Sequence, residues 1–200
     1  TKHGFLLVFD EVITGFGRMG TAFATQKFNV KPDIITMAKA LTNGAIPMGG
    51  VAVTDEIYNT VTDAAPEDAI EFFHGYTYSA HPAACAAGIA TQKIYQNEEL
   101  FERAASLEDY FLDAVWTLQD HPLVTDVRGI GLMAGVELVS DGVVGHRGVQ
   151  MQKAMFWNGL HVKFTGDNAI IAPAFVAERK HVDEIVDKFR TTLDAALDTN

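Results

Sequence analysis

Apolar residues fall in short runs separated by stretches of helical periodicity. Phe5-Leu6-Leu7-Val8-Phe9 is apolar at every position and closes on Asp10-Glu11. Such a run predicts a strand buried on both faces, as in a parallel sheet. That strand needs neighbours and covering helices, so the chain is expected to begin in mid-fold, with sequence preceding it. Ile34-Ile35-Thr36 and Val51-Ala52-Val53 predict two more interior strands. Asn43-Gly44 and Pro47-Met48-Gly49-Gly50 mark tight turns between them. His81-Pro82 opens a small-residue helix over Ala83 to Tyr95, with proline in its first turn and Gly88 permitting close packing.

From Glu99 to Leu118, Leu100, Ala104, Leu107, Phe111, Val115 and Leu118 recur every three or four residues, an amphipathic helix closed by His121-Pro122. Val127 to Leu138, interrupted by Gly129, Gly131 and Gly135, predicts a bent strand. A helix over 147–158 stops at Gly159, and Val162–Phe164 and Ala169–Ala172 flank a turn at residues 165–168. The last helix, 178–197, buries Val182, Ile185, Val186, Phe189, Leu193 and Leu197. The expected organisation is therefore α/β: residues 1–95 as an alternating α/β part, 96–120 as a connecting helix, and 121–200 as a small α+β domain.

Composition narrows the function classes. In 200 residues, 15 Lys and Arg face 26 Asp and Glu, a net charge of −11, which argues against binding a phosphate backbone. No apolar run reaches the roughly 18–20 residues that cross a bilayer, and no signal peptide is visible. A single cysteine, Cys85, excludes an internal disulfide and suits a reducing, cytoplasmic compartment. Among Ala84, Ala86 and Ala87 it reads as packing rather than as a nucleophile. His74 and His81 stand at a spacing that fits no helical ligand pair and have no acidic or cysteine cluster beside them, so no metal is expected.

Two features could carry chemistry. Asp10 and Glu11 end an interior strand, where open α/β sheets present ligand groups. A strand ending in Asp-Glu also resembles the magnesium-holding carboxylates of P-loop ATPases, although these residues contain no GxxxxGK[ST]. Lys39 follows the second strand among Met37, Ala38, Ala40 and Leu41, ahead of a glycine-containing turn. Partial desolvation there would make it a nucleophile, whereas most lysines are solvated surface charges.

The stretches Leu7-Val8-Phe9-Asp10-Glu11-Val12-Ile13-Thr14-Gly15-Phe16-Gly17-Arg18 and Pro32-Asp33-Ile34-Ile35-Thr36-Met37-Ala38-Lys39 resemble the signature of class III aminotransferases, pyridoxal-phosphate enzymes of fold type I. Phe73-His74-Gly75-Tyr76-Thr77-Tyr78-Ser79-Ala80-His81-Pro82 matches as well. Asn43-Gly44-Ala45-Ile46-Pro47-Met48-Gly49 adds a likeness to the β-alanine (ω-amino acid):pyruvate transaminase branch. The similarity runs over nearly the whole chain but only over the C-terminal half of a typical member.

The resemblance implies a set of roles. Lys39 would hold pyridoxal 5'-phosphate as a Schiff base and carry the substrate proton, and Asp10 would bond the pyridine nitrogen. Val12, two residues along the same strand, would face the ring, though it also suits a plain core position. Thr77, with Tyr76 beside it, would reach the phosphate of a neighbouring subunit's cofactor, which implies a homodimer with shared active sites. The family's phosphate loop and ring-stacking aromatic lie before Thr1, so these 200 residues alone are expected to turn over poorly. Small-molecule partners follow: an amine or amino acid and a keto acid. One departure stands out, because Lys163 occupies the position where an arginine is expected to pair with the substrate carboxylate. Lysine keeps the charge and loses the forked geometry, so carboxylate recognition would loosen or the donor would be a neutral amine or diamine. Diamine- and taurine-pyruvate transaminases and aminomutases are the rivals within the family.

Overall fold

The computed structural model of the chain describes residues 3–197. It divides into two compact units, the first formed by residues 3–17 and 21–100 and the second by Arg18–Gly20 with residues 101–197.

The first unit runs β1 (Val8–Asp10), α1 (Ala24–Lys27), β2 (Ile34–Met37), a 3-10 turn at Lys39–Leu41, β3 (Gly50–Val53), α2 (Asp55–Asp63) and α3 (Pro82–Asn97). Its sheet has the order β1-β2-β3. β1 and β2 are parallel, with Val8, Phe9 and Asp10 in register with Ile34, Ile35 and Thr36. β3 returns antiparallel, setting Met37 opposite Gly50. The apolar run at residues 5–9 departs from the expectation of double burial. Only its end is a strand, and Phe5 is 77% exposed. β1 is an edge of this sheet, paired on one side alone, with Val8 and Asp10 exposed and Phe9 half-buried.

The second unit runs α4 (Leu100–Trp116, of which Leu100 belongs to the first unit), a 3-10 turn at Thr117–Asp120, β4 (Val124–Ile130), β5 (Met133–Leu138), α5 (His146–Trp157), β6 (Lys163–Thr165), β7 (Asn168–Ile171) and α6 (Arg179–Leu197). Its antiparallel sheet has the order β4-β5-β7-β6. Alternation does the sorting: Ala134, Val136 and Leu138 of β5 are buried, whereas Glu137 faces out. Those three join Phe111 of α4, Met155 of α5 and Phe189 of α6 in one core. Full burial of each phenylalanine contributes roughly 1.5–3 kcal/mol. The helix expected to connect two domains thus gives its apolar stripe, Leu107, Phe111 and Val115, to this core.

The expected single bent strand over 127–138 is instead a hairpin of β4 and β5. Gly131 makes its turn at φ +60, and a β-carbon there would lie 2.3 Å from the Arg18 carbonyl oxygen. Another glycine that the packing demands is Gly148, in the first turn of α5, where a β-carbon would fall 1.9 Å from the Gly166 carbonyl oxygen. No described helix is long and apolar enough to cross a membrane.

Candidate active site

Parallel pairing of β1 with β2 brings two chemically complementary side chains to one end of the first unit's sheet. Asp10 ends β1 in register with Thr36, and Lys39 stands three residues beyond Thr36. Two donors converge on one oxygen of Asp10. The Val12 N–H reaches Oδ1 over 3.1 Å and the Thr36 hydroxyl donates to the same atom over 3.2 Å. The strand ends at Asp10, so Val12 lies in the following turn, half-buried, and is not placed by strand alternation as the sequence suggests.

Glu11, beside it, is buried to 1% exposure. Its carboxylate accepts from the Thr14 hydroxyl (2.6 Å) and from the N–H groups of Ala24 (2.9 Å) and Thr25 (2.9 Å). Three donors explain how a carboxylate can be buried without a cation. They also dispose of a paired-carboxylate magnesium site, since Glu11 is committed to holding the turn over residues 12–25. Phe16 sits in that turn at φ +63, its ring 5.1 Å from that of Phe23.

Lys39 is exposed rather than desolvated among its apolar neighbours. The segment around it is nonetheless held firmly. Lys39 itself has φ +45, a left-handed backbone that a side-chain-bearing residue adopts only where the surroundings impose it. Those surroundings come from α3: the Tyr95 hydroxyl donates to the Ala40 carbonyl (2.8 Å) and the Gln92 amide to the Leu41 carbonyl (3.3 Å). The buried Thr42 hydroxyl closes the turn on the Ile46 carbonyl at 2.6 Å. α3 approaches closely at Gly88, where a β-carbon would meet Met48 Cε at 3.2 Å.

Tyr76 and Thr77 line a separate concavity of about 890 Å³, between residues 74–81, the Ile46–Gly49 turn and the start of α3 at Ala84 and Cys85. Asp10 and Lys39 are not part of its wall. Tyr76 is another residue with positive φ (+48), fixed by its N–H donating to His74 Nδ1 over 3.0 Å and by ring contact with His74 at 4.3 Å. His74 is therefore engaged as an acceptor, and among the described residues no cluster of His, Cys, Asp and Glu could hold a metal.

Lys163 belongs to the second unit. It opens β6, the edge strand of that sheet, opposite Ile170, and is exposed without an ion-pair partner among the described residues. Arg18, a member of the signature stretch, also serves the second unit. It donates to the carbonyls of Leu132 (3.0 Å) and Pro173 (2.6 Å) and lies 4.6 Å from the centre of the Phe175 ring.

Comparison with known proteins gives this geometry its context. The family model for class-III aminotransferases matches residues 1–193. An omega-aminotransferase of Caulobacter vibrioides is 49% identical over 193 residues, 96% of this chain and 44% of that protein. An omega-amino acid–pyruvate aminotransferase of Pseudomonas putida is 41% identical over 199 residues, 98% of this chain and 44% of that protein. The omega transaminase of Pseudomonas jessenii, solved in complex with PMP, superposes with a TM-score of 0.88 at 30% identity, covering 97% of this chain and 44% of that one. The chain thus spans a little under half the length of the relatives it matches. Its match to the family model over nearly all its residues, and its likeness to fold type I transaminases in both sequence and backbone, make it a member of the class III aminotransferases.

Proposed function

We propose that the protein works as a pyridoxal-phosphate-dependent transaminase, moving the amino group of a β-alanine-like ω-amino acid, or of an amine, to pyruvate. The observation that carries the proposal is the register of β1 with β2, which brings an exposed primary amine and a carboxylate with one uncommitted oxygen to the same sheet end. Class III aminotransferases use pyridoxal phosphate, whose protonated ring supplies an electron sink when the carbon bearing the amine loses its proton. An amine for the cofactor's aldehyde and an anion for its ring nitrogen are the donor set that this cofactor needs.

Lys39 Nζ is the group that would bind the cofactor covalently, then hold and hand on the proton of the reacting carbon. Asp10 Oδ2 would accept from the ring nitrogen and favour its charged form. Val12, in the turn after Asp10, would contribute apolar contact to the ring. The Thr77 hydroxyl, with Tyr76 beside it, would bind the phosphate in a second copy of the chain, so that two active sites are shared across a homodimer. Lys163 would attract the substrate carboxylate as a point charge. Its lack of a forked geometry favours a second reading in which the preferred donor is a simple amine or diamine. Because the chain spans 44% of the length of these relatives, the activity is assigned to the protein with that remaining length supplied, and the 200 residues alone are expected to hold the cofactor weakly.

The test is alanine formation from pyruvate by the cofactor-loaded protein with β-alanine or a simple amine as donor. Alanine from β-alanine supports the first reading, and alanine from amines only supports the second. Cofactor-loaded protein that makes none from either contradicts the proposal.

A further inference from the structure

We infer that Thr36 is a positioning residue for Asp10, fixing which carboxylate oxygen is presented to the cofactor; the inference rests on the function proposed above. The torsion that turns an aspartate's carboxylate plane is broad and only weakly set by rotamer preference, so side-chain geometry alone leaves either oxygen free to face a ligand. Here both protein donors, the Val12 N–H and the Thr36 hydroxyl, meet Oδ1. A carboxylate only accepts, so the hydroxyl is the donor in this pair. The two bonds come from different directions in the chain, one from the turn after β1 and one from the neighbouring strand. Together they fix the plane and leave Oδ2 as the oxygen without a donor among the described residues.

The strand alone does not require threonine at position 36. Thr36 is half-buried in Ile34-Ile35-Thr36-Met37, where Ile34 and Ile35 are apolar and β-branched, and valine would fill the same volume with equal strand preference. What the threonine adds is a hydroxyl at the register position of Asp10. Its position three residues before Lys39 also ties the orientation of the carboxylate to the strand that carries the amine. Catalytic groups need alignment within tens of degrees, and a carboxylate held by one bond instead of two loses that alignment without losing the fold.

The experiment compares Thr36→Val and Thr36→Ser with the parent in the pyridoxal-phosphate-loaded protein. Thr36→Val should speed cofactor dissociation by about two- to tenfold, the factor that the net contribution of one solvent-exposed hydrogen bond carries. It should lower kcat with KM for the donor unchanged, and shift the pH dependence of the bound cofactor's visible absorbance. Thermal stability should stay level, because valine suits the strand. Thr36→Ser, which keeps the hydroxyl, should restore the absorbance profile and cofactor retention to within about twofold of the parent. A Thr36→Val protein with parental retention and absorbance overturns the inference, and so does a Thr36→Ser protein that behaves like Thr36→Val. Both of those results leave the proposed function standing, whereas a parent protein that never binds pyridoxal phosphate removes the proposed function itself.

Discussion

Tyr95 donates its hydroxyl to the backbone carbonyl of Ala40 over 2.8 Å, and this bond ties the last turn of α3 to the turn in which Lys39 stands. Tyr95 is 5% exposed, and the bond itself is partly buried. Tyr95→Phe should lower the unfolding free energy by about 0.5–1.5 kcal/mol and leave the Ala40 carbonyl without that donor. Because Lys39 depends on the same turn for its positive φ, cofactor exchange should quicken in parallel. Denaturant titration together with cofactor release checks both; a change in stability alone would detach the turn from the chemistry.

Glu11 offers a sharper test of the loop that follows β1. Three donors meet its buried carboxylate, two of them backbone N–H groups that open α1. Glu11→Gln turns an amide nitrogen toward at least one of those donors and should cost about 1–3 kcal/mol by chemical denaturation. Glu11→Ala, which strands all three donors, should cost more. Magnesium should leave the stability of the parent unchanged, because its Glu11 carboxylate is occupied by the protein's own donors.

Acid should loosen the segment before α5. The Asp141 carboxylate accepts from His146 Nδ1 at 2.6 Å, and that hydrogen bond, with a smaller one from the Val143 N–H, holds the Asp141 carboxyl below its ordinary range. A carboxyl with a depressed folded-state value stabilises the fold above its unfolded value, about 3.9, and loses that contribution as pH falls through the folded value. Amide exchange at residues 141–148 should therefore quicken below roughly pH 4, and Asp141→Asn should flatten that part of the pH dependence. Identical acid profiles for the two proteins would remove the role of this pair.

Lys163 separates the two donor readings. Lys163→Ala should raise the apparent KM for β-alanine and for pyruvate, both carboxylates, more than the KM for a simple amine. Lys163→Arg, which restores a forked donor, should lower the KM for the carboxylates. Equal changes for all three substrates would show that the residue does not meet a carboxylate.

Much of the second unit was legible because its apolar spacing is set by its own core. Phe111, Val115, Val186 and Phe189 recur at helical intervals, and all are buried where that periodicity places them. The hairpin at Gly131 escaped because an apolar run through several glycines has the same texture whether it bends or reverses, and the reversal depends on a contact with Arg18 far away in the chain. α2 gave little signal, since Asp55–Asp63 carries only Ile57, Tyr58 and Val61 among polar residues. At the candidate site, Asp10 and Lys39 were visible from the signature stretches. Exposure of Lys39 and of Phe5 was not, because burial is decided by what packs around a segment and not by the segment's own hydrophobicity. The supporting groups act largely through bonds distant in sequence, 13 and 14 positions for Glu11 to α1, 26 for Thr36 and 55 for Tyr95, and no local pattern announces them.

The central claim is that Lys39 is the residue that carries the cofactor. Reduction of the pyridoxal-phosphate-loaded protein with borohydride, followed by peptide mass mapping, tests it directly. The expected result is a pyridoxyl label on the peptide containing Lys39, with loss of the visible absorbance. A stoichiometric label on another lysine, or a cofactor-loaded protein that takes no label at all, would contradict the account.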